Sequence, residues 1–181
     1  MRVLVLFATV EGHTEKIAGF ISRMLQDGGH EVFLSATNQA GYCDPGTVDA
    51  AILCAPIHIG RYPSDFVHYI QNWKSSLVDI PNALITSSLA IASDDEEEQS
   101  EARAFPDKLA KQTGWKPRKV FNVAGALKYT GYDFFKRWMM RRISASEGGP
   151  VDTSKDHELT DWDALAAFVT DFMKSSAKVD A

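Results

Sequence analysis

Cysteine is nearly absent from this chain. Only Cys43 and Cys54 occur in 181 residues, with no C-x-x-C pair and no metal-ligand spacing. That excludes a disulfide framework, predicts no metal site and fits a reducing compartment. Basic residues are not in surplus: 19 Lys and Arg against 24 Asp and Glu leave a formal charge of −5. No nucleic-acid partner is therefore expected, since meeting a polyphosphate requires excess cations. No run approaches the roughly 18 apolar residues that span a bilayer. The amino terminus enters a strand-like run at residue 2, without the basic-then-apolar order of a signal peptide. These absences predict a cytoplasmic protein whose only membrane contact is peripheral. Familiar nucleotide signatures are missing too. No G-x-G-x-x-G follows the first apolar run, and the P-loop-like glycine spacing at 41–47 has Thr47 where a lysine is required. Cys54 to Arg61 resembles a phosphatase loop with one residue too many, which displaces the nucleophile from its cradle.

What is present is alternation. With 45% hydrophobic and 24% charged residues, the composition is that of a globular protein, expected to form one domain. Apolar runs at 2–8, 30–36, 49–57, 83–92 and 119–127 read as strands. Amphipathic runs at 13–27, about 63–77, about 94–112 and 160–175 read as helices, the last with Thr160 as its N-cap. Gly28 and Gly29 end the first helix. Strand–helix alternation predicts an α/β fold, a doubly wound parallel sheet with helices on both faces. Five strands suit the flavodoxin-like order 2-1-3-4-5, with a ligand at the carboxyl ends between strands 1 and 3. Residues 128–159 break the alternation and form a long insertion between strand 5 and the last helix, expected to carry function.

Three loops lie at those carboxyl ends. Thr9-Val10-Glu11-Gly12-His13-Thr14 joins strand 1 to a helix. Backbone N–H groups at a helix start are unpaired and favour an anion, hydroxyls add donors, and Gly12 lets the backbone come close. An ordinary capped βα turn has the same local pattern. In the second loop, Pro56, Ile57 and Ile59 offer flat apolar surface, Gly60 permits close approach and Tyr62 offers a ring for stacking. His58 and Arg61 read either as surface residues or as groups beside a reacting ring. The third, Thr86-Ser87-Ser88-Leu89-Ala90, either lines a polar edge or ends a strand with locally satisfied hydroxyls. The acidic run 94–98 reads as a solvated helix start.

Taken together, these loops resemble the flavodoxin-like fold, with Thr9–Thr14 matching its phosphate loop for FMN. More selective are APIHIGRY (55–62), W-K-P-R…VAGALKY (115–129) and GG-P-V-DT-S-K…TDW (148–162). They resemble the flavodoxin-type, quinone-dependent protoporphyrinogen IX dehydrogenases over essentially the whole chain. The resemblance implies FMN as cofactor, held by Thr9, Val10, Glu11, Gly12, His13 and Thr14. It extends the contacts to Pro56, Ile57, His58, Ile59 and Gly60, to Ser87, Ser88, Leu89 and Ala90, and to Asp152 and Thr153. It implies oxidation of protoporphyrinogen IX to protoporphyrin IX for haem synthesis, with a membrane quinone accepting the electrons. Two features depart from the pattern: the strongly acidic 94–98 run, and Pro63. His58, Arg61 and Tyr62 are the candidates for assisting proton loss near the ring.

The insertion has chemistry of its own. As a helix, 132–143 gathers Tyr132, Phe134, Phe135, Trp138, Met139 and Ile143 on one half and Lys136, Arg137 and Arg141 on the other, with Met140 and Arg142 breaking the separation. Such a helix suits a membrane interface on the inner face of the cytoplasmic membrane, or a cover that offers cations to a porphyrinogen's propionates. It equally suits simple docking on the domain. Lys128, Tyr129, Phe135, Lys136, Arg137, Trp138, Met139, Arg141 and Arg142 are the substrate or membrane candidates. An NAD(P)H:quinone reductase and an electron-carrier flavodoxin remain alternatives on this fold, and a homodimer is compatible with the sequence.

Overall fold

The computed structural model describes residues 1–39, 44–127 and 157–177. Strands β1 (Arg2–Phe7), β2 (Glu31–Ala36), β3 (Ala50–Pro56), β4 (Asn82–Ser88) and β5 (Lys119–Ala124) form one parallel sheet in the order β2-β1-β3-β4-β5. This is the predicted order. The inner strands are apolar on both sides because both sides are covered. β1 sends Leu4 and Leu6 into one core and Val3, Val5 and Phe7 into the other; β3 splits Ala51, Leu53 and Ala55 from Ala50, Ile52 and Cys54. Helix α1 (His13–Asp27) closes one face with the last helix, α5 (Trp162–Ser176), through Ile17, Ile21, Leu165 and Phe172. Helices α2 (Ser64–Asp79) and α4 (Phe105–Thr113) close the other through Phe66, Ile70, Phe105 and Leu109.

Several boundaries differ from the sequence expectation, each for a local reason. β4 stops at Ser88, whose Oγ accepts the Ala90 N–H at 3.2 Å, and Leu89–Ala92 curl into a 3₁₀ turn. The helix expected over 94–112 is two, α3 (Glu96–Arg103) and α4. Pro106 has no N–H to continue the first ladder, and the chain restarts at Phe105. The fifth strand ends at Ala124. Ala126–Leu127 (β6) instead pairs antiparallel with His157–Glu158 (β7), one short ladder whose two strands flank residues 128–156 in sequence. The cap of α5 is Asp161, whose Oδ1 accepts the Ala164 N–H at 2.9 Å, not Thr160.

Asn82 shows how the sheet's amino-terminal edge is fastened. It is 1% exposed. Its amide donates to the Leu77 carbonyl at 2.6 Å and the Ile80 carbonyl at 3.0 Å, while Oδ1 accepts the Arg118 N–H at 3.0 Å. One side chain thus ties the end of α2 to the approach to β5. Asn82→Ala leaves those backbone groups unpaired and is expected to cost about 2–3 kcal/mol of unfolding free energy. Urea denaturation reads this, and a loss below about 0.5 kcal/mol would refute the fastening role.

Candidate functional site

The loop from β1 to α1 is shaped around Gly12. Its φ of 86° lies in the left-handed region, which a side chain disfavours, and it stands at the N-cap of α1 with no side-chain cap on the helix. The ladder begins only with the Lys16 N–H on the Gly12 carbonyl at 3.2 Å. The N–H groups of the first turn therefore face outward at the carboxyl end of the sheet, where the helix dipole favours negative charge. Thr9 sets the bend by accepting the Gly12 N–H on its Oγ1 at 2.8 Å. Thr9, Val10 and Glu11 are exposed, Gly12 and His13 half-buried, and Thr14 buried with its hydroxyl 3.3 Å from the Ser87 hydroxyl. This donor set fits a phosphate monoester such as that of FMN: outward backbone donors, hydroxyls and a glycine approach.

His13 turns away from that mouth toward the start of α5. Its Nε2 lies 2.9 Å from Thr160 Oγ1, and the Thr160 hydroxyl donates its one proton to the Ala124 carbonyl at 2.8 Å. The imidazole must therefore donate, which fixes the proton on Nε2. Burial lowers the His13 pKa below the ordinary 6.5; the Glu158 carboxylate opposes this and the Lys16 ammonium adds to it. Lys16 Nζ meets Glu158 Oε2 at 2.6 Å and lies 5.4 Å from the centre of the Trp162 ring. Glu158 and Lys16 escaped the sequence reading, and Thr160 was read there only as a helix cap. Thr160 and His13 are 147 positions apart, and no local pattern announces the contact.

The second loop is a two-residue hairpin. His58 N–H donates to the Arg61 carbonyl at 2.9 Å and Arg61 N–H returns to the His58 carbonyl at 3.2 Å. Its tip, Ile59 and Gly60, has φ of 49° and 70°, the paired left-handed geometry of a tight hairpin. A β-branched residue there is strained by about 1–2 kcal/mol, yet Ile59 is 73% exposed, with nothing in the core to repay it. Pro56 and Ile57 are half-buried beneath it, and the Ile57 N–H donates to the Ser87 carbonyl at 2.8 Å.

Tyr62 corrects the expectation of a stacking ring. It is 7% exposed, stacks on Phe66 and meets Phe105 edge-on. Its hydroxyl lies 3.0 Å from Thr86 Oγ1, and burial pushes its pKa up to about 12, against the smaller opposing effect of that bond. The ring is spent in the core and its hydroxyl is unfit to accept a proton near neutral pH. His58, half-buried, and Arg61, exposed, remain at the base of the hairpin. Burial also pushes the Cys54 thiol far up, so it supplies no nucleophile.

At the third loop, Ser87 and Ser88 are buried and spend their hydroxyls on Thr14 and on the Ala90 N–H; Leu89 and Ala90 are half-buried. The Gly125 N–H reaches the Ser88 carbonyl and the Leu159 N–H reaches the Gly125 carbonyl, linking this loop to the start of α5. The structure thus gathers the three predicted loops on one edge of the sheet. Asp152, Thr153 and the candidates Lys128, Tyr129, Phe135, Lys136, Arg137, Trp138, Met139, Arg141 and Arg142 lie outside the described residues. Among the described residues, no helix is long and apolar enough to cross a membrane.

Comparison with known proteins agrees with this architecture. A flavodoxin domain family matches residues 4–154. Protoporphyrinogen IX dehydrogenase (quinone) of Escherichia coli strain K12 is 27% identical over 168 residues, covering 93% of this chain and 92% of that protein. The Leishmania major protein of the same name is 30% identical over 175 residues, 94% of this chain and 74% of its own length. Among solved structures, a Fusobacterium nucleatum flavodoxin variant bound to flavin mononucleotide superposes with a TM-score of 0.51 at 14% identity, covering 98% of this chain and 95% of its own. That likeness is one of fold.

A neutral His13 couples stability to pH. Because its folded pKa lies below the unfolded 6.5, the unfolded chain binds more protons, so this stability is present above about pH 6.5 and lost as pH falls through the folded value. His13→Gln keeps a donor for Thr160 but cannot titrate. The loss of stability between about pH 7.5 and about 5.5, read from urea midpoints, should be smaller in the variant than in the wild type. An equal loss would contradict the assignment.

Proposed function

Because the chain belongs to the flavodoxin-domain family, within the branch of the quinone-dependent protoporphyrinogen IX dehydrogenases, we propose that it is an FMN enzyme that oxidises protoporphyrinogen IX to protoporphyrin IX and passes the electrons to a membrane quinone. One observation carries the reading. The uncapped start of α1, with Gly12 left-handed, stands at the switch point of the sheet in a chain whose likeness to the named dehydrogenases runs nearly end to end.

When bound, FMN supplies the two-electron redox chemistry; the protein supplies placement and electrostatics. The first-turn N–H groups of α1 and the exposed Thr9 hydroxyl bind the phosphate. The Thr14–Ser87 bond holds that turn to β4, and the Thr160 hydroxyl holds His13 out of the phosphate's place. Ile57 and Ile59 present apolar surface to the flat ring and keep water from it. Oxidising a porphyrinogen also releases carbon- and nitrogen-bound protons, and His58 and Arg61, at the base of the 58–61 hairpin, would assist their loss, His58 as a proton acceptor and Arg61 as a fixed cation. The basic, aromatic 132–143 segment would meet membrane or substrate, giving peripheral attachment without a spanning helix.

The deciding experiment is anaerobic. The FMN-loaded protein is mixed with protoporphyrinogen IX, or separately with NAD(P)H, and the flavin absorbance is followed before a quinone is added. Reduction by the porphyrinogen and reoxidation by the quinone are expected. Rapid reduction by NAD(P)H with none by the porphyrinogen would overturn the reading in favour of an NAD(P)H:quinone reductase. The phosphate loop is tested by Gly12→Ala, which places a side chain in the left-handed region at a cost of about 1–2 kcal/mol. FMN affinity, read by quenching of flavin fluorescence, should fall about tenfold.

A further inference from the structure

Between the 58–61 hairpin and the outer faces of α2 and α4 lies a groove of about 310 Å³. Its floor is apolar, made of Tyr62, Val67, Phe105 and Leu109, all buried. Its exposed walls carry Arg61, His68 and Lys108, and no carboxylate among the described residues lines it. In a chain of net charge −5, such a site is locally complementary to an anion with an apolar body. Lys108 is held over the Phe105 ring, 4.3 Å from its centre. Its neighbour at the rim is Glu101, 3.6 Å away, with both side chains more than half exposed. An exposed pair of this kind is weak, so an incoming carboxylate can take the place of Glu101 at little cost.

The hairpin makes the groove relevant to the chemistry. Gly60 and Arg61 form part of its wall and belong to the turn read above as the loop against the flavin ring. A ligand edge seated in the groove therefore touches the same hairpin. The volume is at the lower end of ligand sites, about 300–1,000 Å³. It suits one edge of a tetrapyrrole and not the whole macrocycle.

Resting on the functional reading above, we propose that this groove binds a propionate-bearing edge of the porphyrinogen, with Arg61 and Lys108 pairing the carboxylates and the apolar floor taking the adjoining pyrrole edge. Part of substrate recognition thus falls to the sheet-covering helices, outside the 132–143 segment. Arg61 gains a role as a specificity residue on the groove side of the hairpin.

The test uses the FMN-loaded full chain and two probes, protoporphyrin IX and its dimethyl ester, with binding read by porphyrin fluorescence. Each single variant, Arg61→Gln or Lys108→Gln, should weaken binding of the diacid about threefold, and the double variant about tenfold. Lys108→Arg should retain wild-type binding, and Lys111→Gln, on the same helix but outside the groove, should leave it unchanged. The ester should be insensitive to every substitution. A double variant that binds the diacid like wild type, an ester affected equally, or no diacid binding by the wild type overturns the proposal. Turnover separates the two readings. If the wild type oxidises protoporphyrinogen and the double variant shows the same KM, only the groove fails. If the diacid binds through these cations and the wild type does not oxidise protoporphyrinogen, the groove stands and the functional reading fails.

Discussion

A helix that keeps its first N–H groups for a ligand cannot use a side chain to cap them, so something else must hold its amino end in place. That constraint shapes the carboxyl edge of this sheet. The start of α1 is held laterally instead: Thr14 against Ser87 on β4, His13 against Thr160 before α5, and Lys16 against Glu158 on β7. Each bond leaves the helix mouth clear. The partners come from two distant parts of the chain, β4 and residues 158–160, so the loop is held only when the whole edge is assembled. The Thr160 hydroxyl, donating a hydrogen bond to the Ala124 carbonyl and accepting one from His13, makes the end of β5, α1 and the start of α5 a single hydrogen-bonded unit.

Strain gathers on the same edge. Ile59 adopts a left-handed backbone at the tip of the 58–61 hairpin while remaining exposed. A glycine or asparagine would fit that turn at less cost. An apolar side chain kept in a strained, solvent-facing position is what a surface against a flat ring requires. The hairpin also divides two environments. Ile59 stands exposed at its tip, and Gly60 and Arg61 line the groove over α2 and α4.

Much of this was legible in the sequence because it rests on short-range patterns. Continuous apolar runs gave the strands and their burial, the strand–helix alternation suited the order 2-1-3-4-5, and Gly12 between hydroxyls marked the turn into α1. The errors arose where long-range packing outweighed local appearance. Tyr62 looked available beside Gly60, but its ring lies among Phe66 and Phe105 and its hydroxyl is bound to Thr86. Thr160 looked like a helix cap, yet its hydroxyl serves Ala124 and His13 and the cap passes to Asp161. For Ser87 and Ser88 the sequence left a polar edge and a locally satisfied strand end both open, and their hydroxyls meet Thr14 and the Ala90 N–H. The groove was invisible for the same reason: Arg61 and Lys108 are brought together only by helix packing.

In the proposed function the uncapped start of α1 binds the phosphate of FMN. Comparing the affinities of FMN and riboflavin for the protein tests it most directly, since the two differ only in that group. Several charge-assisted bonds from first-turn amides and hydroxyls predict that riboflavin binds at least about thirtyfold more weakly. Equal affinity for the two would contradict the account.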